Sequence, residues 1–205
     1  MIRIATVGEI GSGKSYVAKL FGFPVFNADN QIKKIYKKNY KCFLLLKKKL
    51  PKFIKSYPVK KSEILKAIFA NKNNLKKITK TVHPIVRLNM LNFIKKNKKR
   101  KAIVLDIPLY FENKINKKGD VIIFVEAKKS EINNRLKKRP NFNFKIFNKL
   151  KKIQLPVRFK KKKANFIIKN NFKNVSLKRN VMIIRKKILK NERSNPWYRN
   201  NWSRG

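Results

Sequence analysis

The chain has 205 residues, 42% of them apolar, and carries a formal net charge of +47 from 56 Lys and Arg against 9 Asp and Glu. That apolar share is enough for one α/β domain with a packed core, which excludes disorder throughout. A single cysteine, Cys42, excludes an internal disulfide framework; no apolar run approaches the ~20 residues of a membrane helix, and MIRIATVGE lacks the apolar stretch of a signal peptide. The expectation is a cytoplasmic protein with no membrane partner.

Such a surface attracts phosphate-rich molecules whatever else it does. Its lysines fall in runs, such as Lys47 to Lys49 and Lys160 to Lys163, interleaved with Asn and Ile. They read as a solvated surface that has drifted in composition, and no dedicated nucleic-acid partner is expected. The few carboxylates are the more informative residues for the same reason.

Ile2 to Val7 is a β-branched apolar run that stops at Gly8, and Ser15 to Phe21 continues at helical spacing, giving strand, glycine loop, helix. Pro24 to Asn27 is a second strand, ending at Ala28-Asp29, and Gln31 to Lys38 a helix. Cys42 to Asn97 reads as helical throughout, in pieces divided by Pro51, Pro58 and Pro84. Ala102 to Leu105 is a buried strand closed by Asp106-Ile107-Pro108, and Val121 to Val125 another, closed by Glu126-Ala127. Helices follow at Ser130 to Lys138 and Asn141 to Ile153, a last strand at Phe166 to Ile168 and a closing helix at Ser176 to Leu189. Strands alternating with helices predict an α/β fold built on a parallel sheet with right-handed crossovers. Asn191 to Gly205 has no apolar period yet holds both tryptophans, Trp197 and Trp202. It reads as a disordered basic tail, the alternative being an aromatic arm that stacks on single-stranded RNA.

Chemistry concentrates in GEIGSGKS, Gly8 to Ser15, which fits G-x-x-x-x-G-K-[ST] without a mismatch and lies between a predicted strand and a predicted helix. Glycines at 8, 11 and 13 let backbone N–H groups turn inward on phosphate oxygens. The segment Gly8, Glu9, Ile10, Gly11, Ser12, Gly13, Lys14, Ser15 and Tyr16 is the predicted nucleotide site. Lys14 would reach the β- and γ-phosphates, and Ser15 would ligate Mg²⁺. No N-K-x-D for guanine is present, and the size suits a small-molecule kinase.

The acceptor must lose a proton, and Asp29, just past the second strand, is the leading candidate because ligands gather at the carboxyl ends of parallel strands. A second reading makes Asp29 the N-cap of the helix that follows. Asp106 ends the third strand and is either a water-mediated Mg²⁺ ligand or a turn residue before Pro108.

Taken together, these motifs resemble the dephospho-CoA kinase family from Ile2 to about Leu189. The loop resembles G-G-I-G-S-G-K-S with Glu9 for a glycine, and FPVFNAD at Phe23 to Asp29 resembles P-V-I-D-A-D. HPIVR at His83 to Arg87 resembles H-P-x-[IV]-R, and PLYFE at Pro108 to Glu112 resembles P-L-L-F-E. RLKKR at Arg135 to Arg139 resembles the lid entry, and Gln154-Leu155-Pro156 a following Q-M-P.

The resemblance implies a P-loop kinase fold: a five-stranded parallel sheet flanked by helices, with core at about 1–30, 100–139 and 164–190. A helical acceptor-binding insertion would occupy about 31–99 and a lid about 140–163. It implies transfer from ATP to the 3′-hydroxyl of dephospho-coenzyme A, with Asp29 as base, Lys14 and Arg139 on the phosphates, and Ser15 and Asp106 toward Mg²⁺. His83, Arg87, Pro108, Leu109 and Glu112 would lie toward the acceptor.

Three departures stand out: Asn27 for the first Asp of D-A-D, Asn165 for the Asp of A-D-x-V-I-x-N, and Tyr110 for a leucine beside the acceptor pocket. The competing readings are another nucleoside or nucleotide monophosphate kinase, and a basic nucleic-acid-binding protein with a vestigial loop. A monomer is favoured.

Overall fold

The structure is a computed structural model and describes residues 1–138 and 142–194. Its contacts divide into two compact units, one formed by residues 1–26 and the chain from Lys99 onward, the other by residues 27–98.

The first unit is built on a sheet in the order β2-β3-β1-β4-β5. The strands are β1 (Ile2–Gly8), β2 (Val25–Asn27), β3 (Ala102–Asp106), β4 (Val121–Glu126) and β5 (Phe166–Lys169). The ladders of β1 with β3, β1 with β4 and β4 with β5 are parallel. Every residue of β1 and β3 is buried, as in a parallel sheet covered on both faces. Ile2, Ile4, Val104, Ile123 and Val125 pack in one cluster with Val17 and Phe21 from α1 (Lys14–Leu20) and its end, and with Leu177 and Val181 from α9 (Asn174–Ser194). Because β3 and β4 flank β1 on opposite sides, the carboxyl end of β1 is the switch point at which parallel sheets of this kind open a crevice.

At the amino end of the same strands the carboxylate of Asp120 is structural. Arg3 Nε lies 3.0 Å from Asp120 Oδ1, both side chains being buried. The Tyr110 hydroxyl and the Lys117 N–H both donate to Asp120 Oδ2. Tyr110 is fully buried against this pair. Burial, then the neighbouring Asp120 carboxylate, pushes its hydroxyl pKa far up, so it stays a donor.

The second unit is helical: α2 (Ala28–Lys38), α3 (Tyr40–Lys49), α4 (Lys61–Ala70) and α5 (Lys72–Lys96). Its core joins Ile35, Leu46, Ile54, Ile64, Ile78 and Val82. Pro84 does not divide the helices as the sequence predicts, for it lies inside the 25 residues of α5. Proline removes one N–H bond, to the carbonyl of Lys80, but Ile78, Val82 and Met90 are buried on both sides of it and hold the helix through.

Glu63 shows what an acid-poor chain does with a carboxylate. It occupies the third position of α4 and accepts from the N–H groups of Lys55 and Ser56 on Oε1, at 3.1 Å each, and of Lys60 on Oε2, at 3.2 Å. Partial burial pushes its pKa up, but those donors outweigh it and hold the carboxyl below its ordinary 4.5. Glu63→Ala should cost about 1 kcal/mol at neutral pH, readable as a fall in Tm. With the folded pKa below the unfolded one, this contribution is complete above the unfolded value and is lost as pH falls through the folded value. The gap between wild-type and variant Tm should therefore close in acid below pH 4.5.

The remaining helices of the first unit are α6 (Lys129–Lys137), α7 (Phe144–Lys152) and α8 (Val157–Lys162). α8 was not expected, since its lysines read as solvated surface. α9 continues four residues past Lys190, into the stretch read as a tail; the backbone ladder needs no apolar period to propagate. The tail reading for 195–205 lies outside the described residues.

Candidate active site

Gly8 ends β1 opposite Val125, and a Cβ on it would stand 2.5 Å from the Val125 carbonyl oxygen. Gly13 has φ +89°, the left-handed region, and a Cβ there would stand 2.3 Å from Asn170 Nδ2. Side chains are thus excluded at both ends of the loop. Lys14 begins α1, is largely buried, and donates from Nζ to the Glu9 carbonyl at 2.7 Å. The Ser12 N–H donates to the same oxygen at 3.2 Å. The ammonium is therefore folded back over the loop that a phosphate would enter. Ser15 and Tyr16 are exposed on the first turn of α1, and the Tyr16 hydroxyl donates to Asn174 Oδ1 at 3.0 Å.

Asp106 ends β3, is buried, and pairs in register with Thr6, two residues before Gly8. The sheet thus brings its carboxylate to the end that carries Lys14 and Ser15.

Pro108 and Leu109 are half-buried in the turn after β3. Glu112, in the same turn, accepts from the Leu155 N–H at 2.8 Å and pairs with Lys160 Nζ at 2.7 Å, both side chains nearly buried. Two separate sequence motifs, Pro108 to Glu112 and Gln154 to Pro156, therefore meet through one carboxylate. Lys160 was hidden from sequence reasoning inside a lysine run. The one available signal was that a glutamate closing the apolar run Leu109 to Phe111 in so acid-poor a chain needs a cation. Lys161, next to it, pairs with Glu126 at 2.7 Å, but that pair is exposed and contributes little. A cavity of about 270 Å³ opens beside the loop, lined by Glu9, Ile10, Ile132, Asn133, Phe147 and Gln154 among others.

Arg139 lies outside the described residues. Arg135, on α6, lays its guanidinium over the Phe172 ring, 4.3 Å from the centroid. Asn165 accepts from the Ile122 N–H at 2.8 Å and donates its own N–H to the Ile122 carbonyl at 2.9 Å. The position asks only for an acceptor, which Asn supplies as well as Asp.

In the helical unit, the N-cap of α2 is Asn27, whose Oδ1 accepts from the Asn30 N–H at 2.8 Å. Asp29 is the second residue inside the helix and is exposed. This corrects the reading of Asp29 as the cap and gives Asn27 a role that needs only a side-chain oxygen. His83 and Arg87 stand one turn apart on α5, the first half-buried and the second exposed. Burial, then the Arg87 guanidinium, holds the His83 imidazole below its ordinary 6.5. The chain has one histidine, so a single imidazole resonance should titrate with a midpoint below 6.5 in ¹H NMR. Unfolded His83 binds its proton first as pH falls, so this site subtracts stability on acidification. A midpoint at or above 6.5 would contradict the assignment.

A parallel α/β sheet with an intact phosphate loop at its switch point, and a buried acid at the end of the next strand, defines the class of phosphate-loop kinases. Comparison with known proteins narrows the class. Residues 2–175 match the family model described as dephospho-CoA kinase. A dephospho-CoA kinase of Bartonella quintana is 31% identical over 193 residues, 92% of this chain and 98% of the relative. One from Wolbachia pipientis is 34% identical over 170 residues, 80% of this chain and 87% of the relative. The chain belongs to the dephospho-CoA kinase family.

Among solved structures, a Thermus thermophilus protein aligns with a TM-score of 0.75 at 24% identity, covering 91% of this chain and 97% of that one. A dephospho-CoA kinase from Campylobacter jejuni aligns at 0.63 and 23%, covering 91% and 96%. At these identities the two support the fold alone. Among the described residues no helix is long and apolar enough to cross a membrane.

Proposed function

We propose that the chain transfers the γ-phosphoryl group of ATP to the 3′-hydroxyl of dephospho-coenzyme A, giving coenzyme A and ADP, the last step of coenzyme A biosynthesis. The observation that carries this reading is the family match across residues 2–175 together with a phosphate loop that lacks none of its chemical parts. In this reading the loop's N–H groups and Lys14 neutralise charge on the transferring group, which is most of what phosphoryl transfer asks of a protein.

Ser15 and Asp106 offer a hydroxyl and a carboxylate at one end of the sheet, hard oxygen donors of the kind Mg²⁺ takes alongside phosphate oxygens. These two residues would hold the metal, which would supply positive charge against the phosphates. Asp29 accepts the proton of the 3′-hydroxyl as that oxygen attacks the γ-phosphorus and the bond to the β-phosphate oxygen breaks. The acceptor-binding residues of this reading are His83, Arg87, Pro108, Leu109 and Glu112. Arg139 joins the nucleotide phosphates from the lid.

A coupled ADP-release assay with dephospho-CoA, adenosine monophosphate and other nucleoside monophosphates offered in parallel tests the reading. Release dependent on dephospho-CoA alone is the expected result. Release with a nucleoside monophosphate and none with dephospho-CoA would replace it with a monophosphate kinase.

A further inference from the structure

The turn that follows β5 touches the phosphate loop at two points. Asn170 is buried, and its Nδ2 donates to the Ser12 carbonyl at 2.9 Å across 158 residues of chain. The same nitrogen fills the space a Cβ on Gly13 would take. The adjoining Phe172 ring reaches within 3.5 Å of that Cβ position.

The turn is itself held fast. The Asn170 N–H donates to the Glu126 carbonyl at 2.7 Å, at the end of β4. The Asn170 side-chain oxygen accepts from the Phe172 N–H at 2.9 Å. Phe172 is kept at φ +58°, left-handed backbone that a bulky aromatic residue rarely adopts. Such a conformation persists only where surrounding contacts over-determine it, and here those contacts are the loop on one side and Arg135 on the other.

A trans peptide points its carbonyl and its N–H to opposite sides. Holding the Ser12 carbonyl toward β5 therefore aims the Gly13 N–H the other way, toward the face where the loop's amides meet phosphate. We propose that Asn170 is a positioning residue for phosphoryl transfer: by gripping the Ser12 carbonyl it fixes the Ser12–Gly13 peptide with its N–H presented to the nucleotide phosphates. This inference rests on the kinase reading above, and it goes beyond that reading by assigning a role to a side chain outside the phosphate-loop motif.

Asn170→Asp tests it. The substitution keeps shape and the acceptor for the Phe172 N–H but sets a carboxylate against the Ser12 carbonyl, where no donor remains. Binding of ADP with Mg²⁺ is measured by calorimetry, for wild type and variant, well below either Tm and across pH 8 to 5.5. The variant's Kd should exceed that of wild type by roughly 10–100-fold at pH 8. The ratio should shrink toward acid, because a protonated carboxyl regains an O–H that can donate to Ser12. A merely structural role would lower Tm and leave the Kd ratio near one at every pH, and that result overturns the proposal. If Asn170→Asp does not fold, Asn170→Ala carries the same test, with a Kd about tenfold above wild type supporting the proposal and a Kd within twofold overturning it. Absence of ADP binding by wild type would instead overturn the kinase reading.

Discussion

Lys14→Ala should lower kcat by roughly 10³-fold with dephospho-CoA as acceptor, because the charge developing on the transferring phosphoryl group loses its one motif-borne cation. The fold should survive the change. The side chain donates a hydrogen bond to the Glu9 carbonyl, and that oxygen keeps the Ser12 N–H as a donor when the lysine is removed. Steady-state rates at saturating ATP, set beside the Tm of the variant, separate the two effects. A variant that turns over within a few-fold of wild type would mean that Gly8 to Ser15 is a glycine turn and no phosphate site.

Asp29→Asn should lower kcat by about 10²–10⁴-fold, the usual worth of a general base, while ATP binding, which draws on the loop, changes little. Position in the helix sharpens this expectation. Asn27 is the cap, so the substitution takes no capping bond from α2. It removes one negative charge from the first turn, an interaction worth about 0.3–1 kcal/mol. A rate loss of three orders of magnitude with a Tm shift of a few degrees would therefore be a chemical effect. If kcat holds and only Tm falls, the proton goes elsewhere, and Asp106 at the end of β3 becomes the next residue to test.

The three central strands and the loop between β1 and α1 were legible because β1, β3 and β4 are short apolar runs rich in β-branched residues and closed by a turn, and a strand buried on both faces has little else to be. Most of the helices were legible in place, but less so in number and extent. Pro84 was given the power to end a helix, when a core on both sides of it outweighs one lost hydrogen bond. α8 went unread because its lysines follow no apolar period, yet Lys160 is one of the most buried charged groups among the described residues.

The site divided along the same line. Residues whose role depends on local backbone, such as the loop glycines, could be found from spacing. Asn170 and Glu112 could not be given their contacts, because these depend on partners far away in sequence: Ser12 for the first, Leu155 and Lys160 for the second. The scarcity of acids was a useful guide all the same. Glu63 caps α4, Asp120 neutralises Arg3, Glu112 neutralises Lys160, and Asp106 lies beside the loop's strand. Four of nine carboxylates thus have a position that a drifting surface would not have produced.

Phosphoryl transfer to one particular hydroxyl is read by ³¹P NMR of the product formed from dephospho-CoA and ATP. A new phosphomonoester resonance coupled to the ribose 3′ proton, growing in step with ADP, is the expected result. A phosphate that appears at the 2′ position, or ADP that accumulates with no new phosphomonoester on dephospho-CoA, would contradict it.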